Sequence, residues 1–326
     1  YCWGQNASGQ LGTGNTTDSA VPVQVAGALA GQTITDISGT SNTTCAIANS
    51  KFYCWGTNTN GLTGRNTNSG TTLTPTLVTA SNTATTLPTN YAASSLATSG
   101  SRSRTICGIA DGKAYCWGQN TIGSVGNGSS GGSVLVPTKV LDSNALAGRT
   151  VTAISIDGFY GDPTSTGYSH ACAIASGALF CWGENNSGQL GDGTTSPRNA
   201  PVPVTATGVL SGKTIQDIQV GLRHSCAQAS NGVYCWGQGA GGQLGHGSFN
   251  DSSVPVAVTT APGAVSSSNV ISIGAGANRG CAVISDGRTF CWGVNTNGQI
   301  GDGTTINRNV PTESLFLRPL GNQFIY

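Results

Sequence analysis

The sequence is poor in charge and contains no long apolar run. Charged residues make up 8% of the 326 residues, and the formal net charge is +1. In ordinary soluble proteins about a quarter of all residues are charged. Nucleic-acid binders that neutralise phosphates need a basic excess, and disordered chains need a high net charge, so both classes are excluded. No apolar run approaches the roughly 18 residues of a membrane helix, so we expect no direct membrane insertion within this chain.

Methionine is missing as well, even at position 1, where Tyr1 stands without a preceding signal peptide. These absences favour a processed product or a fragment with its N-terminal residues removed. Cysteine, in contrast, is abundant: there are 11, and no two are closer than nine positions. That spacing excludes Cys-x-x-Cys zinc knuckles, thioredoxin-like motifs and c-type haem attachment.

The string Cys-Trp-Gly recurs six times, at intervals of 52 to 65 residues. A glycine-rich turn follows it, then a proline among valines, an alternating apolar stretch such as Thr214–Ile218, and a segment of the Cys-Ala-Ile type. Four short β-type segments in about 55 residues predict an all-β propeller with four-stranded blades. We expect one domain over residues 1–326, with repeats that begin near Tyr1, Tyr53, Tyr115, Phe180, Tyr234 and Phe290.

Ten of the cysteines form pairs that are nine or ten positions apart. If paired cysteines face each other across a hairpin, two loop residues remain, for example Asp111-Gly112, which favours a type I′ turn. Opposed residues lie about 4.5 Å apart at Cα, within the range of a disulfide. The alternative is free thiols that pack as small apolar groups. The predicted disulfides are Cys45–Cys54, Cys107–Cys116, Cys172–Cys181, Cys226–Cys235 and Cys281–Cys291, with the partner of Cys2 upstream of Tyr1.

These motifs resemble the chromatin-condensation-regulator (RCC1-type) repeat family over almost the whole chain. Gly221–His224 matches the first part of its repeat, and Trp182–Gly193 matches the second part nearly letter for letter. The resemblance implies a propeller, usually of seven blades. Six units are visible, so either one blade lies upstream or this ring has six. Both cysteines of each pair replace residues that are usually apolar or serine in the family, which indicates an exported protein in oxidising surroundings.

The sequence offers no catalytic constellation. His170 and His224 occupy equivalent repeat positions, and we expect each ring to hydrogen-bond a neighbouring turn. Glu184 and Glu313 are the only glutamates, too few to suggest a paired-carboxylate glycosidase. We therefore predict no enzymatic activity, no metal site and no cofactor.

Two insertions interrupt the repeat, at 79–103 and 156–168. Irregular loops on a rigid scaffold often carry recognition, and aromatic residues are enriched at binding centres. The alternative is a loop that packs on itself and fills a gap between blades. The predicted partner contacts lie in the second insertion: Asp157, Phe159, Tyr160, Asp162 and Tyr168.

The leading hypothesis is a non-enzymatic extracellular or cell-surface module, such as an adhesin ectodomain or a surface-filament (pilus) subunit. Its partner would be a protein or glycan at the cell surface, or another copy of the chain, and not nucleic acid. The alternative is a secreted inhibitor of another enzyme. The family's namesake activity, guanine nucleotide exchange on a small GTPase, fits least, because it needs a reducing nuclear setting and usually a basic tail.

Overall fold

The computed structural model describes residues 1–79, 85–98, 104–143, 145–159, 168–259 and 270–315. This part of the chain forms one two-stranded and five four-stranded antiparallel sheets, which we number as blades 1 to 6. Within it, no helix has the length and apolar character needed to cross a membrane. In the described ranges, two short 3-10 turns accompany the strands, at Gly27–Leu29 and Thr59–Gly61.

The strands follow one another in chain order. Blade 1 contains β1 (Cys2–Gly4) and β2 (Ser19–Val23); blade 2 contains β3 (Ile34–Gly39), β4 (Thr43–Ala48), β5 (Lys51–Thr57) and β6 (Thr71–Leu77). Blade 3 contains β7 (Ala93–Thr98), β8 (Thr105–Ala110), β9 (Lys113–Gln119) and β10 (Ser133–Lys139). Blade 4 contains β11 (Val151–Phe159), β12 (Tyr168–Ala175), β13 (Ala178–Gly183) and β14 (Arg198–Pro203). Blade 5 contains β15 (Ile215–Val220), β16 (His224–Ala229), β17 (Gly232–Gly237) and β18 (Ser252–Ala257). Blade 6 contains β19 (Val270–Gly276), β20 (Arg279–Ile284), β21 (Thr289–Gly293) and β22 (Arg308–Glu313).

The first strands of successive blades contact one another: β3 contacts β7, β7 contacts β11, β11 contacts β15, and β15 contacts β19. These strands therefore lie on the inner side of the array, and the fourth strands lie outside. The prediction of an all-β propeller with four-stranded blades is confirmed, whereas the number of blades in the whole ring stays a prediction. Each Trp-bearing repeat starts at the third strand of a blade and ends at the second strand of the next one.

A disulfide joins the second and third strands in each of blades 2 to 6, with the two Cα atoms 4.1 Å apart. The paired cysteines lie directly opposite each other in register, as the hairpin spacing predicts. At the tip of blade 3, Asp111 and Gly112 have φ values of 50° and 68°, the left-handed conformation that a type I′ turn needs. Cys2 is a free, half-buried thiol. The bonded pairs are Cys45–Cys54, Cys107–Cys116, Cys172–Cys181, Cys226–Cys235 and Cys281–Cys291.

A tryptophan joins each complete blade to the blade before it. The Trp182 indole Nε1 donates a hydrogen bond of 2.9 Å to the Ser124 carbonyl in the glycine-rich loop of blade 3. In the same loop, a Cβ on Gly126 would lie 2.6 Å from that nitrogen, so only glycine fits there. The same contact recurs in the other complete blades: Trp55 with Gln10, Trp117 with Leu62, Trp236 with Gln189, and Trp292 with Gln243.

Apolar side chains fill the space between neighbouring blades. The Cys172–Cys181 disulfide of blade 4 packs in one cluster with Ile218 and Trp236 of blade 5. Ile218 is 1% exposed, but Ile37, at the same repeat position in blade 2, is 54% exposed. The difference arises because, within the described residues, blade 1 supplies only two strands and neither of them covers β3.

We therefore expect the replacement of isoleucine by alanine to lower the free energy of unfolding by different amounts in blades 5 and 2. In the 326-residue chain, Ile218→Ala should lower the free energy of unfolding by roughly 2–4 kcal/mol, because it leaves a cavity between blades. Ile37→Ala, the matched control, should cost less than about 1 kcal/mol, because its side chain is mostly solvated. Urea unfolding followed by tryptophan fluorescence measures both. Equal costs would contradict this packing.

Candidate binding surface

The second insertion lengthens the inner hairpin of blade 4. β11 and β12 pair continuously as far as Phe159 and Tyr168, whereas three residues, 221–223, make the same connection in blade 5. The hairpin therefore projects beyond the connection of blade 5, at the end of the array that carries the glycine-rich loops. Tyr160 and Asp162 lie outside the described residues, and Phe159 and Tyr168 are described by their backbone alone. The predicted contact patch, with Asp157 as its fifth residue, therefore stays a prediction.

Asp157 marks the base of this extension, where it faces His170 in register across the hairpin. Its carboxylate accepts a hydrogen bond of 2.6 Å from the Gly158 amide. Burial raises the pKa of Asp157 to about 6, and the Gly158 amide only partly opposes this shift. A carboxylate of this kind loses its charge in mildly acidic conditions.

Glu184 lies next to the same strands, because its backbone N–H donates to the Ser169 carbonyl at 3.0 Å. The residue is 1% exposed. Asn186 lies beside the carboxylate, yet neither oxygen has a hydrogen-bond partner of ordinary geometry among the described residues. Burial raises the pKa of Glu184 to about 7, and the positive charge of Arg223 on blade 5 acts in the opposite direction. We call Asp157, His170, Glu184, Arg223 and His224 the 4/5 cluster.

His170 and Ser225 form a hydrogen-bonded pair at 2.9 Å between blades 4 and 5. The Ser225 hydroxyl donates to the Gln189 carbonyl at 2.9 Å, so His170 Nε2 carries the proton and donates to the serine oxygen. Both residues are fully buried. Burial lowers the pKa of His170 to about 3, and the nearby His224 lowers it further. A serine whose only proton is held by a carbonyl, away from solvent, is not a nucleophile.

His224 is also fully buried, and burial lowers its pKa to about 4. Its ring packs so closely on Gly221 that a Cβ there would lie 2.3 Å from the imidazole. The ring thus fills the base of the short loop in blade 5. The two histidines lie on adjacent blades, and the described residues contain no group of three or more His, Cys, Asp or Glu side chains that could hold a metal.

The 4/5 cluster therefore combines two neutral imidazoles with two carboxyls of raised pKa, in a chain that has little charge elsewhere. It can support the projecting hairpin and set its local charge. Sequence reasoning set Glu184 aside as an isolated glutamate and did not single out Arg223. Alignment of the repeats would have identified Glu184, because it occupies the position of Gln119 in blade 3 and Gln238 in blade 5.

This fold and this site define a class: a β-propeller of Cys-Trp-Gly blades joined by tryptophan–glycine contacts. The family model described as "Regulator of chromosome condensation (RCC1) repeat" matches residues 1–47, 111–156, 176–228, 230–283 and 286–320. The chain belongs to this family of RCC1 repeat proteins.

Several known proteins are similar to the chain. It is 30% identical to the ultraviolet-B receptor UVR8 of Arabidopsis thaliana over 326 residues, which cover 96% of this chain and 65% of the receptor. It is 32% identical to the probable E3 ubiquitin-protein ligase HERC3 of Homo sapiens over 206 residues, 62% of this chain and 18% of the ligase. The chain thus spans less than two thirds of the length of these relatives.

A solved structure with the same fold is yeast RCC1 (Prp20) bound to Kap60. Its TM-score is 0.71 at 20% identity, with coverage of 97% of this chain and 70% of that one. Human WBSCR16 gives a TM-score of 0.68 at 21% identity, with coverage of 87% and 67%. At these identities the likeness shows the fold alone.

Glu184→Gln tests the buried carboxyl. Because the folded-state pKa lies above the ordinary value of 4.5, the stability that this carboxyl contributes is fully present below pH 4.5 and is lost as the pH rises to about 7. The variant lacks this loss, so at pH 8 it should be more stable than wild type by roughly 2 kcal/mol, and near pH 4.5 the gain should vanish. Urea unfolding at both pH values measures the difference. Glu313→Gln, at the exposed glutamate, is the control, and an equal effect there would refute the assignment.

Proposed function

We propose that this chain is a non-enzymatic binding scaffold of one domain, residues 1–326, that works outside the cell or at its surface. In this proposal a partner protein or glycan contacts the projecting hairpin of blade 4, and the disulfide-bonded blades hold that hairpin in place. An adhesin ectodomain or a subunit of a surface filament fits this description.

The observation that carries the proposal is one disulfide at the same pair of positions in every complete blade. Nine of the ten bonded cysteines are buried, and all lie between strands that already pair. In the chain-entropy model each bridge closes about ten residues and contributes roughly 2–3 kcal/mol. Five such bridges persist in oxidising compartments and are rare in the cytosol.

The relatives support a role in protein binding. Yeast RCC1 was solved bound to Kap60, and a second study describes its binding to Gsp1p and histones. Rigid propellers of this kind present loops at fixed positions, and loops on rigid scaffolds are where recognition concentrates. In this chain the extended hairpin of blade 4 is the loop that departs furthest from its counterpart in blade 5. The near-neutral charge argues against a nucleic-acid partner.

The redox state of the native material tests the location. Trypsin cleaves after Lys51, Lys113 and Arg288, each of which lies between the two cysteines of a hairpin. Cells that make the full protein are treated with N-ethylmaleimide and digested without reductant. We expect disulfide-linked peptide pairs from these three hairpins, and labelling of the protein on intact cells, or in the medium, by a biotin reagent that does not cross membranes.

The same digest after reduction is the control, because it must release the linked peptides. Maleimide on both cysteines of each pair in the unreduced sample, with no biotin on the protein, would contradict the proposal. Release into the medium together with tight binding to one soluble enzyme would favour the secreted inhibitor instead.

A loop exchange tests the hairpin. Residues 157–169 are replaced by Gly-Leu-Arg, the connection of blade 5, which keeps Ile156 and His170 in place. The variant should fold with its disulfides intact, because blade 5 already uses this loop next to the same histidine. In cells, an impermeant lysine cross-linker followed by mass spectrometry should capture wild-type neighbours that the exchanged variant loses.

The matched control is Glu313→Gln, a substitution at an exposed residue of blade 6, which leaves the hairpin in place and should keep those neighbours. An unchanged set of cross-linked neighbours after the loop exchange would show that the binding surface lies elsewhere on the propeller.

A further inference from the structure

A recess of about 500 Å³ lies between blades 4 and 5, at the end of the array opposite the projecting hairpin. Its floor is apolar, with Leu179 and Phe180 of β13 and Val204 and Leu210 of the linker that leads to blade 5. All four of these residues are buried. The volume lies within the range of sites that bind small molecules.

The same place is filled in two other blades. In blade 2, Lys51 crosses to the next linker, where its Nζ donates to the Tyr91 carbonyl and lies 4.1 Å from the centre of the Tyr91 ring. In blade 3, Lys113 Nζ donates to the Arg149 carbonyl at 3.1 Å. The strand registers place Ala178 of blade 4 at the position of these lysines.

Ala178 lines the recess, and its methyl group is too short to cross it. The linker residue that such a lysine would reach is Lys213, which stands two positions before the strand, as Tyr91 and Arg149 do. The lysines of blades 2 and 3 thus close this gap, whereas Ala178 leaves it open in blade 4; blade 5 has Gly232 at the same position.

Two cations stand at the rim, Arg149 and Lys213, and none of the described residues that line the recess is acidic. Neither cation forms an ion pair within the described part of the chain. The Arg149 guanidinium lies 5.1 Å from the centre of the Phe180 ring, and its Nε donates to the Ala145 carbonyl at 3.1 Å. These contacts hold the arginine in place and leave its outer N–H groups available.

We propose that this recess binds a small organic anion with an apolar body, such as an aromatic or medium-chain carboxylate. The apolar part would rest on Leu179, Phe180 and Leu210, and the carboxylate would pair with Arg149 and Lys213. Positive charge above an apolar floor favours such a ligand over a neutral one of the same shape.

The test uses anilinonaphthalene sulfonate, an apolar anion whose fluorescence rises in apolar sites, with the 326-residue chain. Ala178→Lys restores the lysine of blades 2 and 3 and should weaken binding at this site by about tenfold or more, because the new side chain fills the recess. Lys213→Gln, the residue that blade 2 has at Gln32, should weaken it by about fivefold, because one cation is lost. Decanoate should displace the dye at concentrations where decanol does not.

Thr207→Lys is the matched control, because it adds the same charge to the same linker outside the recess and should leave binding intact. The proposal would be overturned if Ala178→Lys and Lys213→Gln bound the dye with wild-type affinity. The dye would then be assigned to the exposed apolar residues near Ile37. Equal displacement by decanol and decanoate would overturn it too. If Ala178→Lys does not fold, as judged by its thermal transition, Lys213→Gln and the competition by decanoate and decanol still test the proposal.

Discussion

The fold depends on one contact that is repeated from blade to blade: a tryptophan indole that lies against a glycine of the preceding loop and donates its N–H to a carbonyl there. At Trp236 this donor reaches the Gln189 carbonyl at 2.9 Å, and a Cβ on Gly191 would lie 2.7 Å from the indole nitrogen. The contact buries a large apolar ring and satisfies its polar group in the same place. Since the tryptophan and the glycine-rich loop recur in every repeat, the same contact can join each blade to the one before it.

The disulfides act within blades where the tryptophans act between them. Each bridge fixes the second and third strands, and its sulfur atoms form part of the apolar surface on which the next blade packs, as Cys172 and Cys181 do against Trp236. A chain with 8% charged residues gains little from ion pairs. The Arg198–Asp192 pair, at 2.9 Å, is one of few in the described part of the chain, and both of its residues belong to one loop and the strand that follows it. Stability therefore comes mainly from packing and covalent closure.

The sequence was enough to predict the blades and the cysteine pairs, because both depend on local geometry. Alternation with a period of two defines a strand, and a hairpin brings residues nine apart face to face. The 4/5 cluster was harder to predict. The pKa of Glu184 depends on its burial and on the charge of Arg223 of the next blade, 39 positions along the chain, and spacing within one repeat contains no such information. The recess beside Ala178 was equally hard to predict. It depends on whether the side chain at this position is long enough to contact the linker to the next blade.

Comparison among repeats distinguishes the residues that recur in several blades from those that differ in blade 4. Where three blades have glutamine (Gln5, Gln119 and Gln238), blade 4 has Glu184; where two blades have a lysine that closes the gap to the next linker, blade 4 has Ala178. Each change costs stability, the first through a buried carboxylate and the second through lost contacts. Both lie in blade 4, which also carries the extended hairpin. The proposed binding role of blade 4 accounts for this combination, because the other blades keep the scaffold folded.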